Sequence, residues 1–214
     1  MFTSKHFPAV VILLALLVSC HSSQKNNTKD QLGYIDFNVT GKEEAQPVFT
    51  KAVLLLDSFE YVDAAEEFQK VQKIDPGFVM AYWGEAMSYN HPLWQEQDYD
   101  KGNAVLTTLA PTATERIAKA KTALEKDFIA GVNILYGKGN KAERDSSYAM
   151  HMESLYNKYK GNDEVAAFYS LALNGWGTTE KEISILEKAA VIGNEILQRN
   201  PKHPGALHYI IHAL

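Results

Sequence analysis

Histidine is the first residue type in this chain that could do chemistry, and it gathers near the far end. His208 and His212 stand four residues apart in His203-Pro-Gly-Ala-Leu-His208-Tyr-Ile-Ile-His212. On a helix that spacing puts both imidazoles on one face. His203 precedes Pro204, whose fixed φ suits the first helical position, so His203 falls at the cap. An i,i+4 histidine pair can bind zinc or copper through its ring nitrogens. It supplies two ligands where zinc takes three or four, and Tyr209, Ile210 and Ile211 leave no glutamate to act as general base. His91, in Asn90-His91-Pro92, would approach the pair in a superhelix. Two readings stand side by side. In one, His208 and His212 are hydrogen-bonded in a packed groove, His203 is a plain cap and no cofactor is needed. In the other, the segment holds zinc or copper.

Other combinations carry less chemistry. Gly137-Lys138-Gly139-Asn140-Lys141 lacks both the glycine-to-GK spacing and the preceding strand of a phosphate loop, and reads as a helix stop and turn. Met80, Met87, Met150 and Met152, even beside His151, read as core filler. Ser146, Ser147 and Ser170 have no histidine–acid arrangement beside them. Glu180, Glu182 and Glu187 read as helix-start and surface charges. Tyr82, Trp83, Tyr89 and Trp94 read mostly as core, with one or two lining a groove where aromatics anchor a bound peptide. No residue is assigned a catalytic role.

The elements that must position these residues are helices. Thr40/Glu43, Thr112/Glu115 and Thr179/Glu182 match the capping box, in which each partner satisfies the other's exposed amide. Apolar residues follow at helical spacing. Val48, Ala52, Leu55 and Phe59 make one stripe. Ile117, Ala120 and Leu124 make another, continuing through Phe128, Val132 and Leu135 to Gly137. Tyr148, Met152, Leu155 and Tyr159 end at Gly161, and Asn162 caps a helix carrying Val165, Phe168 and Ala172. Ile183, Leu186, Ala190, Gly193 and Leu197 mark the last long one. No stretch alternates like a strand for long, so the expected fold class is all-α.

Within that class the pattern suggests repeats. Ala64, Phe68 and Pro76 match the second half of a tetratricopeptide repeat, and Tyr82, Ala86 and Tyr89 match the first half of the next. Glu85 replaces the usual leucine there. A second unit ends at Asn200-Pro201, with Ala189 at the small-residue site and Gly193 where phenylalanine belongs. Pro76 and Pro201 lie 125 residues apart, no multiple of the 34-residue period. The expectation is an irregular α-solenoid of helical hairpins over residues 40–214.

The amino terminus reads as an export signal. Lys5 is followed by an apolar run from Pro8 to Val18, too short to span a hydrocarbon core of about 20 helical residues. Leu17-Val18-Ser19-Cys20 resembles a bacterial lipobox, which implies cleavage after residue 19 and lipid on Cys20. Cys20 is also the sole cysteine, so no internal disulfide is available to an exported chain. His21 to Gln31 contains no apolar residue, and residues 20–39 read as a mostly disordered tether. His21 in place of aspartate after the cysteine favours the outer membrane of a bacterial envelope, by resemblance to known sorting rules. Loss of residues 1–19 removes Lys5 and no acid, leaving 20 basic against 26 acidic residues, net −6. Nothing basic clusters, so nucleic acid is not an expected partner.

Two segments carry a narrower resemblance: Ala81-Tyr82-Trp83-Gly84-Glu85-Ala86-Met87 leading to His91-Pro92-Leu93-Trp94, and His203-Pro204-Gly205-Ala206-Leu207-His208-Tyr209-Ile210-Ile211-His212-Ala213. Together they resemble a family of exported bacterial tetratricopeptide-repeat proteins, from about Gln46 onward. Members continue with further helices, including another histidine-containing segment, so the resemblance implies an amino-terminal fragment. It implies fold and context rather than a reaction. The expected function is a lipid-anchored helical scaffold holding a protein or peptide partner in the envelope. The alternative is a metal-binding protein or metal-dependent enzyme using His203, His208 and His212.

Overall fold

The computed structural model describes residues 32–176 and 183–214. The expected export signal, Cys20, the polar stretch to Gln31 and the expected Thr179/Glu182 box lie outside the described residues. Ten α-helices are described: α1 (Gln46–Asp57), α2 (Tyr61–Ile74), α3 (Val79–Met87), α4 (Tyr99–Leu109), α5 (Ala113–Lys119), α6 (Ala123–Leu135), α7 (Lys141–Lys158), α8 (Asp163–Trp176), α9 (Ile183–Arg199) and α10 (Pro204–Ala213). The one sheet among the described residues is a short antiparallel ribbon, β1 (Asn90–His91) with β2 (Glu96–Gln97), His91 opposite Glu96. The protein is all-α. No helix among the described residues is long and apolar enough to cross a membrane.

Local chemistry starts most of these helices. Thr112 and Glu115 close the expected capping box at α5. Two further boxes, Thr122/Glu125 and Asn140/Glu143, open α6 and α7. The continuous helix expected from Ile117 to Leu135 is therefore two helices. Ala120 takes extended backbone (φ −69°, ψ 138°), and the second box restarts the helix at Ala123. The expected Thr40/Glu43 pairing does not form. The Thr40 amide donates instead to Oε1 of Glu125, 85 residues away, and α1 is entered through a 3₁₀ turn, Glu43–Ala45.

Each helix packs on a neighbour in sequence, and α10 returns to pack on both α8 and α1. Small residues allow the closest approaches. A Cβ on Gly84 would stand 2.1 Å from the Phe68 ring, and one on Gly193 would stand 2.6 Å from Ile210 of α10. Gly193 sits where the repeat pattern calls for phenylalanine because Ile210 already fills that space.

The ordered domain begins before Thr40. Leu32 to Thr40 runs extended across the helices: the Tyr34 amide donates to the Lys202 carbonyl at 3.0 Å, while Ile35 and Phe37 are buried. The Phe37 ring lies 5.8 Å from Phe49, 5.8 Å from Trp83 and 5.1 Å from Phe128. Residues 32–39, read from sequence as the end of a tether, lie against the helices and put Ile35 and Phe37 into the core. At its centre α8 is enclosed on every side, with Glu164 to Gly175 all buried. Its polar residues have nowhere to go but inward. Ser170 donates to the Ala189 carbonyl at 2.9 Å, and Asn174 donates to the carbonyls of Ser170 and Tyr209.

Candidate functional site

The site is built where α1 ends. The Glu60 amide donates to Leu55 O at 3.0 Å and the Phe59 amide to Leu56 O at 3.1 Å, the paired bonds of a Schellman cap. Glycine usually fills the left-handed position of that cap; here it is Phe59, at φ 62°. A side chain there costs about 1–2 kcal/mol. The strain aims the Phe59 ring at the carboxy-terminal helix: its centroid is 4.2 Å from His208, 5.5 Å from Tyr209 and 5.7 Å from His212. Trp94 stands 5.6 Å away on the other side, and Tyr61 5.8 Å. His91 stacks on Tyr61 at 4.0 Å and 22°.

Trp94 is carried by a 3₁₀ turn, Pro92–Trp94, closed by Gln95 at φ 56°. The Gln95 side chain holds that turn, its Nε2 donating to Pro92 O at 2.8 Å and Gly175 O at 2.7 Å. Phe59 and Gln95 are the two non-glycine residues with positive φ among the described residues, and they flank the same cluster. Backbone strain of this kind persists where surrounding structure imposes it, and it collects at functional sites.

Three of the four histidines singled out in the sequence, His91, His208 and His212, thus meet on one aromatic surface. His203 does not; it points into the core. Of the four aromatics, Trp94 alone lies in the open, 52% exposed. Trp83 is fully buried against Phe37, Phe128 and Phe168, and the buried Tyr82 donates to Pro76 O. Tyr89 is half-buried and lies beneath Lys101. A cleft of about 460 Å³ adjoins the surface, lined by Leu32, Pro204, Leu207, His208 and Ile211 among others. On the far side His91 borders an acidic cleft with Glu96, Asp98 and Asp100. Another cleft, about 600 Å³, lies between the amino-terminal strap and α1 and has none of these histidines or aromatics in its lining.

His91 Nε2 is 3.2 Å from Ser88 O. Burial, then the neighbouring His212, lowers the His208 pKa and keeps it neutral near pH 7, against the smaller opposing effect of the Asp57 carbonyl. Among the described residues, one group offers three potential metal ligands with atoms within 4.8 Å of one another: Asp57, Glu164 and His203.

That group lies directly beneath the aromatic surface. Asp57 ends α1, Glu164 is in the first turn of α8, and His203 caps α10; all three are fully buried. Tyr209 links the two layers, its ring beside Phe59 and its hydroxyl donating to Asp57 Oδ1 at 2.9 Å. Gly205 permits the approach, since a Cβ there would stand 3.1 Å from the Asp57 carboxyl carbon. His203 Nε2 and Glu164 Oε1 are 3.2 Å apart, yet out of hydrogen-bond alignment. Asp57 Oδ2, both Glu164 oxygens and His203 Nε2 have no hydrogen-bond partner.

Burial, then the Glu164 charge, pushes the Asp57 carboxyl up to about 7, with His203 and the Tyr209 hydroxyl opposing. Burial lowers His203, but the Glu164 and Asp57 carboxylates more than reverse it and leave its pKa raised. A second proton on that ring conflicts with Nδ1, which accepts the Ala206 amide at 3.2 Å. The helix cap is worth about 1 kcal/mol, whereas a buried carboxylate with no compensating charge costs several kcal/mol. The larger effect decides. The cluster favours positive charge, against which the intact cap at Nδ1 stands.

Comparison with protein-family models, curated proteins and solved structures finds no match for this chain. Sequence reasoning reached His203 but not its partners. Asp57 closes the apolar run Val53-Leu54-Leu55-Leu56, and Glu164 opens the apolar run of α8. An acid abutting such a run is the signal that was available.

Proposed function

We propose that this chain is a lipid-anchored scaffold of tetratricopeptide-like helical hairpins that holds a protein partner in a bacterial envelope, with Cys20 as the lipid site. The observation that carries the reading is the gathering of Trp94, His208 and His212 around the strained Phe59, with His91 joined through Tyr61, half-open to solvent. Tryptophan and the other aromatics dominate binding energy where they can be desolvated. The flanks narrow the chemistry of the partner. Exposed Leu207 and Ile211 offer an apolar side, and Glu96 and Asp100 an acidic one, Asp98 being paired with Lys101. The partner is therefore a peptide segment with a large apolar side chain followed by basic residues.

The test is mild crosslinking in cells that carry the protein, detergent solubilisation of membranes and capture of wild type beside Trp94→Ala. A specific protein recovered with wild type and lost with the variant is the expected outcome. Equal recovery with both, or none above background, counts against the scaffold. The anchor is checked separately: labelled fatty acid should enter the wild type and not Cys20→Ser.

A further inference from the structure

We propose that Asp57, Glu164 and His203 form a binding site for a divalent metal ion of the zinc type, which would tie the end of α1 and the starts of α8 and α10 together. The proposal is independent of the scaffold reading. It rests on four ligand atoms, Asp57 Oδ2, Glu164 Oε1 and Oε2 and His203 Nε2, that are fully buried and have no hydrogen-bond partner. Water cannot solvate them, and among the described residues no lysine or arginine pairs with either carboxylate. A divalent ion balances both carboxylates at once.

The donor set selects the class of ion. Imidazole suits zinc and its transition-metal neighbours, whereas magnesium and calcium favour oxygen alone and keep more ligands. Zinc takes nitrogen and carboxylate oxygen at about 2.0–2.2 Å, so an ion among atoms that span no more than 4.8 Å needs only small side-chain shifts. The outer shell is in place for Asp57. Tyr209 bonds Oδ1 and leaves Oδ2 free, as partners of ligating carboxylates commonly do. Ligation through Nε2 moves the imidazole proton to Nδ1 and displaces the Ala206 amide from the cap, so loading should be felt in the first turn of α10. Full burial marks the site as a clamp between helices rather than a place where substrate meets metal.

The experiment titrates chelator-stripped, full-length protein in detergent with Zn(II), and with Co(II) for its visible absorption. The expected result is one equivalent bound, a melting temperature several degrees higher and faster hydrogen exchange at Ala206. E164Q and H203Q should lose the bound equivalent. Tyr209→Phe, a milder change, should weaken it about 10- to 100-fold. The double variant His208→Ala/His212→Ala should keep it. A flat wild-type titration overturns the proposal whatever the variants do. Binding that survives both E164Q and H203Q, or that disappears with the two outer histidines, overturns it equally.

Discussion

Glu125 and Glu164 occupy the same kind of position and meet opposite surroundings. Both lie in the first turn of a helix, and both are fully buried. Glu125 accepts the backbone amides of Thr40, Lys121 and Thr122. Burial alone would raise its pKa, but those bonds leave it lowered. Glu164 has no hydrogen-bond partner on either oxygen and faces only His203 and Asp57. The positive end of a helix favours both carboxylates, so the dipole does not separate them. Amides do. One acid is a structural fastening that joins the strap to α6, and the other faces a single basic group, His203, 3.2 Å away.

Exchanging the two acids for neutral residues gives the largest contrast. Glu125→Ala leaves three amides without their acceptor, and hydrogen bonds to charged groups contribute about 1.5–3 kcal/mol each before water replaces part of them. A loss on the order of 3 kcal/mol should appear as a fall of roughly 6–12 °C in melting temperature. In metal-free protein Glu164→Gln removes one of two carboxylates facing His203 and leaves Asp57 to balance it, so it should cost less than Glu125→Ala. Equal destabilisation by both variants in calorimetry would end the comparison.

The next contrast is spread over pH. Glu125 has a folded pKa below its usual 4.5, so its contribution is present above about 4.5 and is lost as pH falls through the lower folded value. Asp57 runs the other way. Its folded pKa is raised from 3.8 to about 7, so the folded state holds the proton more tightly and stability falls as pH rises between those values. Denaturant melts of metal-free protein should therefore show opposed slopes, and Asp57→Asn should flatten the arm between pH 4 and 7 while leaving the acid arm intact. An unchanged profile in Asp57→Asn would remove Asp57 from the account.

The contrast between the two acids also marks what was legible in the sequence. The box at Thr112/Glu115 and the caps at Asn162 and His203 were readable because each is closed by residues three positions apart. Thr122/Glu125 and Asn140/Glu143 show the same spacing, but the apolar stripe through Leu135 suggested one unbroken helix and masked the first. Thr40 could not be placed, since its partner comes from 85 residues away. Helical spacing put His208 and His212 side by side, their rings 5.4 Å apart, whereas the burial of Asp57 and Glu164 depends on α8 being enclosed and α10 returning to α1. Neither fact is local.

Phe59 tests whether strain serves the surface. Phe59→Asn keeps a residue that tolerates the left-handed region and removes the ring. Relief of about 1 kcal/mol of strain opposes the loss of ring contacts with His208 and Tyr209, so the change in stability should stay within about 1 kcal/mol. The His208 pKa should rise toward its usual value as burial, the first cause of its lowering, is reduced. An NMR titration of His208 that does not move would mean the ring is not what shields it.

The smallest effect on stability should come from Trp94, and that makes it the sharpest probe of function. Its side chain is half in solvent while the turn beneath it is fixed by Gln95, so Trp94→Ala should change folding by no more than about 0.5 kcal/mol, as surface substitutions usually do. A tryptophan at the centre of a protein contact commonly accounts for 2 kcal/mol or more, about thirtyfold in affinity. Stability and binding therefore part company at this residue if the aromatic surface is a docking site. A Trp94→Ala protein that melts with the wild type and has lost its crosslinked partner shows that the indole is kept for an encounter. One that loses several degrees shows instead that Trp94 closes the fold over Phe59 and His212, and the exposed surface would then have to be read as packing.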